Sequence, residues 1–95
     1  MTLAFQVLLT DTGISDVRTA HAKKATQGKG ADVLHALTLL EERLGADPVA
    51  AGQHRFDLPE FGLPVMIGFV SPLILHYAVD EPRRRVYIHH VRIGA

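Results

Sequence analysis

Residues 72–93 decide the fold: Pro72-Leu73-Ile74-Leu75-His76-Tyr77-Ala78-Val79, then Asp80-Glu81-Pro82-Arg83, then Arg84-Arg85-Val86-Tyr87-Ile88-His89-His90-Val91-Arg92-Ile93. Two β-rich runs around a short, acidic, proline-containing turn read as an antiparallel hairpin. Setting Val79 opposite Arg84 places Tyr77 opposite Val86 and Leu75 opposite Ile88. With Leu73 and Val79 these residues make one apolar side. The other side collects Ile74, His76, Ala78, Arg85, Tyr87 and His89, with His76 opposite Tyr87. A slip of one residue on one strand would scatter that set.

Outward from the hairpin, Val65 to Val70 reads as a further strand, interrupted by Gly68. Val49 to Pro64, with Gly52, Pro59, Gly62 and Pro64, reads as irregular chain. Within and beside it Phe56, Phe61, Leu63 and Val65 are unusually apolar. They either fold over the core or form an interface. The clearest helix precedes this stretch. Val33, Leu37, Leu40 and Leu44 recur at helical spacing beside Leu34, and Glu41, Glu42 and Arg43 point away. Asp32 is the expected N-cap, Gly45 the expected left-handed stop, and Pro48 prevents resumption. Gln27-Gly28-Lys29-Gly30 is a loop by composition. Before it, a weaker helix capped by Ser15 or Asp16 runs through Val17, Ala20 and Lys24. Leu3 to Leu9 opens the chain as a strand. The expected class is α+β in the order β-α-α-β-β-β. Its sheet is small and mostly antiparallel, with two N-terminal helices packed on one face and residues 1–95 as a single domain.

Composition narrows the function classes. A chain of 95 residues with 47% hydrophobic and 21% charged residues has enough apolar surface for one modest core. Ten Lys plus Arg balance ten Asp plus Glu, so net charge argues neither for nor against nucleic acid. After Glu81, however, come four arginines and no acid, a local patch able to attract phosphate. No cysteine is present, which removes disulfides, thiolate chemistry and cysteine zinc sites. No leader pattern or membrane-length apolar run is seen, so the expectation is a cytoplasmic protein away from the membrane.

His76, Tyr87, His89 and Arg85 are the candidate catalytic set. Two imidazoles with a phenol and a guanidinium suit acid–base chemistry on phosphodiesters. They equally suit contact with an acidic partner, and a solvated sheet face accounts for each of them singly. Arg55, Arg83, Arg84 and Arg92 are the candidate phosphate or partner contacts. Arg83-Arg84-Arg85 also reads as an edge-protecting cluster at a turn. No metal is expected: adjacent His89 and His90 should point to opposite faces, and no acid is placed to complete a site with His76. No cofactor is expected, because Gly28-x-Gly30 is too short for a phosphate loop and follows no strand.

The element order resembles the RelE/ParE toxin superfamily. So do Leu44-Gly45-Ala46-Asp47-Pro48, Ala51-Gly52, Arg55, the Tyr77-x-Val79-Asp80-Glu81 hairpin, and Val86-Tyr87-Ile88-x-x-Val91. The resemblance covers nearly the whole chain and rests on apolar and turn patterns. It implies toxins of type II toxin–antitoxin pairs, neutralised by an antitoxin that wraps them. RelE-like members cleave mRNA on the ribosome without metal, and ParE-like members poison DNA gyrase. The nuclease positions are degenerate here. Leu73 and Ile74 stand where the family often has Tyr-Arg, and Ile93-Gly94-Ala95 where it tends to have a basic residue and a later Tyr or His. Arg55 matches a family basic position. Fewer cations mean weaker stabilisation of the charge that gathers in RNA cleavage. The expected function is a toxin-like component that binds a protein target and is neutralised by a cognate antitoxin. One alternative is a ribosome-dependent mRNA endonuclease using His76 or His89 as base, Tyr87 in support, and Arg55 and Arg85 on phosphate. A second is a non-toxic domain that homodimerises through the apolar loop.

Overall fold

The computed structural model describes residues 4–58 and 63–94. In chain order they form β1 (Gln6–Leu9), α1 (Asp11–Ala25), α2 (Gly30–Ala46), β2 (Gln53–Leu58), β3 (Leu63–Val70), β4 (Leu73–Asp80) and β5 (Arg85–Ile93). The five strands make one sheet in the order β1-β5-β4-β3-β2, antiparallel except for the β1–β5 pair. The α+β class and two-helix plan stand as expected. The sheet gains one strand, β2, from the stretch read as irregular. Its sequence Gln-His-Arg-Phe-Asp-Leu lacks clean apolar alternation because it is an edge strand, and edges tolerate charge. Leu3 and Phe61 lie outside the described residues, as does the side chain of Phe56.

The helices begin earlier than their sequence signals. α1 follows β1 directly, capped by Thr10, whose Oγ1 accepts from the Gly13 N–H at 3.1 Å. The same hydroxyl donates to the Ile88 carbonyl at 3.1 Å, tying the helix start to β5. Neither Ser15 nor Asp16 is the cap. Gly13 is required where α1 crosses the strand, since a Cβ there would collide with the Ile88 carbonyl. Gly28, at φ 72°, makes the interhelical turn. α2 starts at Gly30 with no side-chain cap, and Asp32 sits in its first turn, where it complements the helix dipole. Gly45 does not end α2 in a left-handed turn. It stays helical and buried, and its carbonyl accepts from the Phe5 N–H at 2.9 Å.

The hairpin pairs Val79 with Val86, Tyr77 with Ile88, Leu75 with Val91 and Leu73 with Ile93. Near the turn this differs from the expected register by two residues, an even shift that preserves the faces. Leu73, Leu75, Tyr77, Val79, Val86, Ile88 and Val91 are buried against Val33, Ala36, Leu40 and Leu44 of α2. Each such aliphatic residue contributes about 1.5–3 kcal/mol. Tyr77 is fully buried, and its hydroxyl donates to the Pro48 carbonyl at 2.7 Å. Burial, then the charge of Asp47, pushes its phenol up to about 12. Gly52 must be glycine because a Cβ would meet that hydroxyl and the Ile67 carbonyl. Gly68 interrupts nothing: it makes room for the Tyr77 ring within β3.

Candidate functional site

Strand alternation carries Ile67 and Phe69 of β3, Ile74, His76 and Ala78 of β4, and Tyr87, His90 and Arg92 of β5 to the side away from α2. Val65 and Ala78 are buried there yet lie outside the main core cluster. Phe69, one residue from the end of β3, is 56% exposed, unusual for a phenylalanine paired within a sheet. Its ring and Ile74 lie beside Gly94. This open side is the candidate site.

A bulge determines which polar residues reach it. Tyr77 pairs with Ile88 but His76 pairs with His90, so β5 carries one extra residue at His89. The buried positions of β5 run Val86, Ile88, Val91. Alternation therefore skips a residue, and His90 is brought opposite His76 where an unbroken ladder would set His89. The bulge is held by Asp16 of α1, whose Oδ2 accepts from the Val91 N–H at 3.1 Å and lies 3.4 Å from His90 Nδ1.

His76 stands edge-on to His90, with ring centroids 6.1 Å apart and planes at 84°. Among the described residues its buried Nε2 has no hydrogen-bond partner. Burial, then the charges of Arg92, His90 and Arg55, lower its pKa. It is thus a neutral imidazole at pH 7, able to accept a proton. Burial and then His90 lower His89 likewise. Arg55, at the irregularity of β2, and Arg92, paired across from Ile74, are therefore the arginines whose charge reaches His76.

The remaining candidates separate. His76 does not face Tyr87: Ala78 does, leaving Tyr87 as a diagonal neighbour. Arg85 is exposed and pairs with Asp80, four residues along β4 from His76, about 13 Å at strand rise. Arg83 binds the buried Asp80 carboxylate at 3.1 Å. Arg84, at φ 54°, lays its guanidinium over the Phe5 ring at 5.3 Å. The arginine triplet therefore closes the hairpin and packs on Phe5, just before β1, instead of building one site. His90 and Phe69 were missed as site residues. The bulge that selects His90 has no sequence signature, whereas Phe69 could have been found as a strand aromatic out of phase with Met66 and Gly68. Among the described residues no group of three or more His, Asp or Glu gathers to hold a metal.

No protein-family model matches the chain, and no curated protein matches it significantly in sequence. Solved structures do. A chain of the toxin–antitoxin complex RelBE2 from Mycobacterium tuberculosis superposes with TM-score 0.71 at 18% identity, covering 100% of this chain and 97% of that one. A chain of the chromosomal ParDE TA system from P. aeruginosa superposes with TM-score 0.70 at 9% identity, covering 97% and 98%. At such identities the likeness is one of architecture: from end to end, this chain has the fold of RelE/ParE-type toxin–antitoxin structures.

Proposed function

We propose that this chain is the toxin-like component of a type II toxin–antitoxin pair. It acts in the cytoplasm by binding a protein target through the open side of its sheet, and a cognate antitoxin neutralises it. The carrying observation is the composition of that side. Phe69, exposed by more than half, stands with Ile74 and Ile67 beside His76, His90, Arg92 and Arg55. An aromatic anchor with a cationic border is the make-up of a protein-binding surface. The likeness to RelBE2 and ParDE chains supports the same reading.

The test is expression of the chain alone and together with the product of the short reading frame beside its gene. Growth arrest alone, rescue on co-expression, and a stable complex weakened about tenfold or more by Phe69→Ser are expected. Unimpaired growth with no complex overturns the proposal.

A second reading is favoured by one observation, the neutral His76 with an unpartnered Nε2 beside Arg92 and His90. That group could take a proton from a ribose hydroxyl in metal-independent mRNA cleavage. The protein would then cut mRNA in codon phase in a translating extract, and His76→Ala would abolish the cuts. Intact mRNA with wild-type protein removes this reading and leaves the binding role, with inhibition of DNA gyrase as the direct assay.

A further inference from the structure

His76 stands at the middle of the sheet, paired with Ile67 of β3 on one side and His90 of β5 on the other. β3 gives it an apolar neighbour. β5 gives it His90, Arg92 and, on the diagonal, Tyr87, and the charge of Arg55 reaches it from β2. Lys23 of α1 shares a cleft with Arg92 and adds a further cation to that border. The acids of the surrounding elements are engaged elsewhere. Asp16 of α1 accepts from the Val91 N–H and lies against His90. Asp57 of β2 lies 2.9 Å from His54 Nε2, and Asp80 of β4 binds Arg83. Among the described residues no carboxylate lies against the His76 ring.

Two things keep a proton off His76: the partial burial of its ring and the like charge around it. Burial belongs to the fold. The like charge can be cancelled from outside, because Arg55, His90 and Arg92 are exposed and the His76 ring is partly so. An anion settling among them would remove the repulsion and leave a base whose Nε2 has no partner among the described residues.

We propose that docking at the open side is coupled to proton uptake: an acidic side chain of the protein partner, seated against Arg92, His90 and Arg55, carries one proton onto His76 as it binds. This rests on the reading of the open side as a protein-binding surface. Charge complementarity selects the acid, and Phe69, Ile74 and Ile67 select an apolar residue beside it. The proton comes from solvent, and the bound carboxylate balances the charge it adds. In the free chain His76 titrates below the ordinary 6.5, and in the complex it titrates higher. Between those two values each unit fall in pH tightens the complex, by about tenfold at most. Above both, affinity levels off at its lower value. The site thus holds its partner more firmly as pH falls and loosens as pH rises. Asp16 acts through the bulge, which sets His90 instead of His89 beside His76.

The experiment is a titration of the full chain with a capped hexapeptide that alternates Leu and Glu. Calorimetry in two buffers of different ionisation enthalpy counts protons, and NMR follows the His76 ring. The expected result is uptake approaching about one proton per peptide, with the His76 ring resonances moving toward the imidazolium position. Affinity should rise about threefold or more between pH 8 and pH 6. His76→Gln should abolish the uptake and flatten the profile. Equal affinity at the two pH values overturns the proposal, as does uptake that survives His76→Gln. So does a failure of the peptide to bind, or equal binding of the same peptide with Gln for Glu. Tighter binding of a trinucleotide than of the peptide assigns the site to RNA and also overturns it. A chain that arrests growth and is rescued, yet binds the peptide without pH dependence, keeps the toxin-like role and loses only the proton coupling.

Discussion

Tyr77 and His76 are adjacent in β4 and face opposite sides of the sheet. The Tyr77 ring lies beneath α2 with its hydroxyl satisfied by Pro48. The His76 ring lies on the open side with a buried nitrogen that nothing among the described residues satisfies. Around Tyr77 are Leu75, Ile88, Leu40 and Leu44, all fully buried. Around His76 are His90 and the charges of Arg92 and Arg55, beyond which Phe69 stands exposed. One side places its polar atom where a partner already exists. The other keeps an imidazole and an aromatic ring unpartnered, at a cost to stability that a folded monomer does not recover. Unsatisfied buried polar atoms and exposed aromatics concentrate where a protein meets something else. The contrast locates the surface of interest without reference to any relative.

The largest expected difference between the two sides is in stability. Leu40→Ala should cost about 2–5 kcal/mol in urea unfolding, whereas Phe69→Ser should stay within about 0.5 kcal/mol. A comparable loss at Phe69 would mean that the open side is core. Next is Tyr77→Phe, which strands the Pro48 carbonyl and should cost about 1–3 kcal/mol. The same residue sets an alkaline limit. Its folded pKa is raised from 10.0 to about 12, so its contribution is complete below pH 10 and disappears as pH rises through 12. Unfolding measured at pH 8 and pH 11 should show a fall in the wild type that Tyr77→Phe lacks.

The open side should respond at the other end of the scale. His76 and His89 have folded pKa values below the ordinary 6.5. The unfolded chain therefore binds protons first, and stability present above pH 6.5 declines as pH falls through the folded values. His76→Leu should shrink that acid limb while leaving the share due to His89. At pH 7 it should be neutral or mildly stabilising, since it removes an unsatisfied atom. A destabilisation of more than about 1 kcal/mol would reveal a partner for Nε2. The smallest expected effect is at the bulge. Asp16→Asn keeps an acceptor for the Val91 N–H and should change stability in urea unfolding by less than about 1 kcal/mol.

Much of this was legible along the chain. The Val33–Leu44 stripe could belong only to a helix lying on a sheet, and the alternation of Leu73, Leu75, Tyr77 and Val79 named the covered side. The even error in hairpin register did no harm, because faces repeat every second residue. β2 was not legible, since an edge strand needs no apolar alternation. The α1 cap was not legible either. Thr10 serves both the helix start and the Ile88 carbonyl, a contact between residues 78 apart in sequence.

The sequence by itself determined the α+β class, the helix that covers the sheet, and the side on which His76 and Tyr87 stand, because hydrophobic periodicity is a local property with a direct spatial meaning. Only the tertiary structure decided that His90, not Tyr87, faces His76, and that Arg83 and Arg84 are spent on Asp80 and Phe5. The reason is a single extra residue in β5, held out of register by a carboxylate from α1. A bulge of that kind arises from packing between distant segments and leaves no periodic trace along the chain.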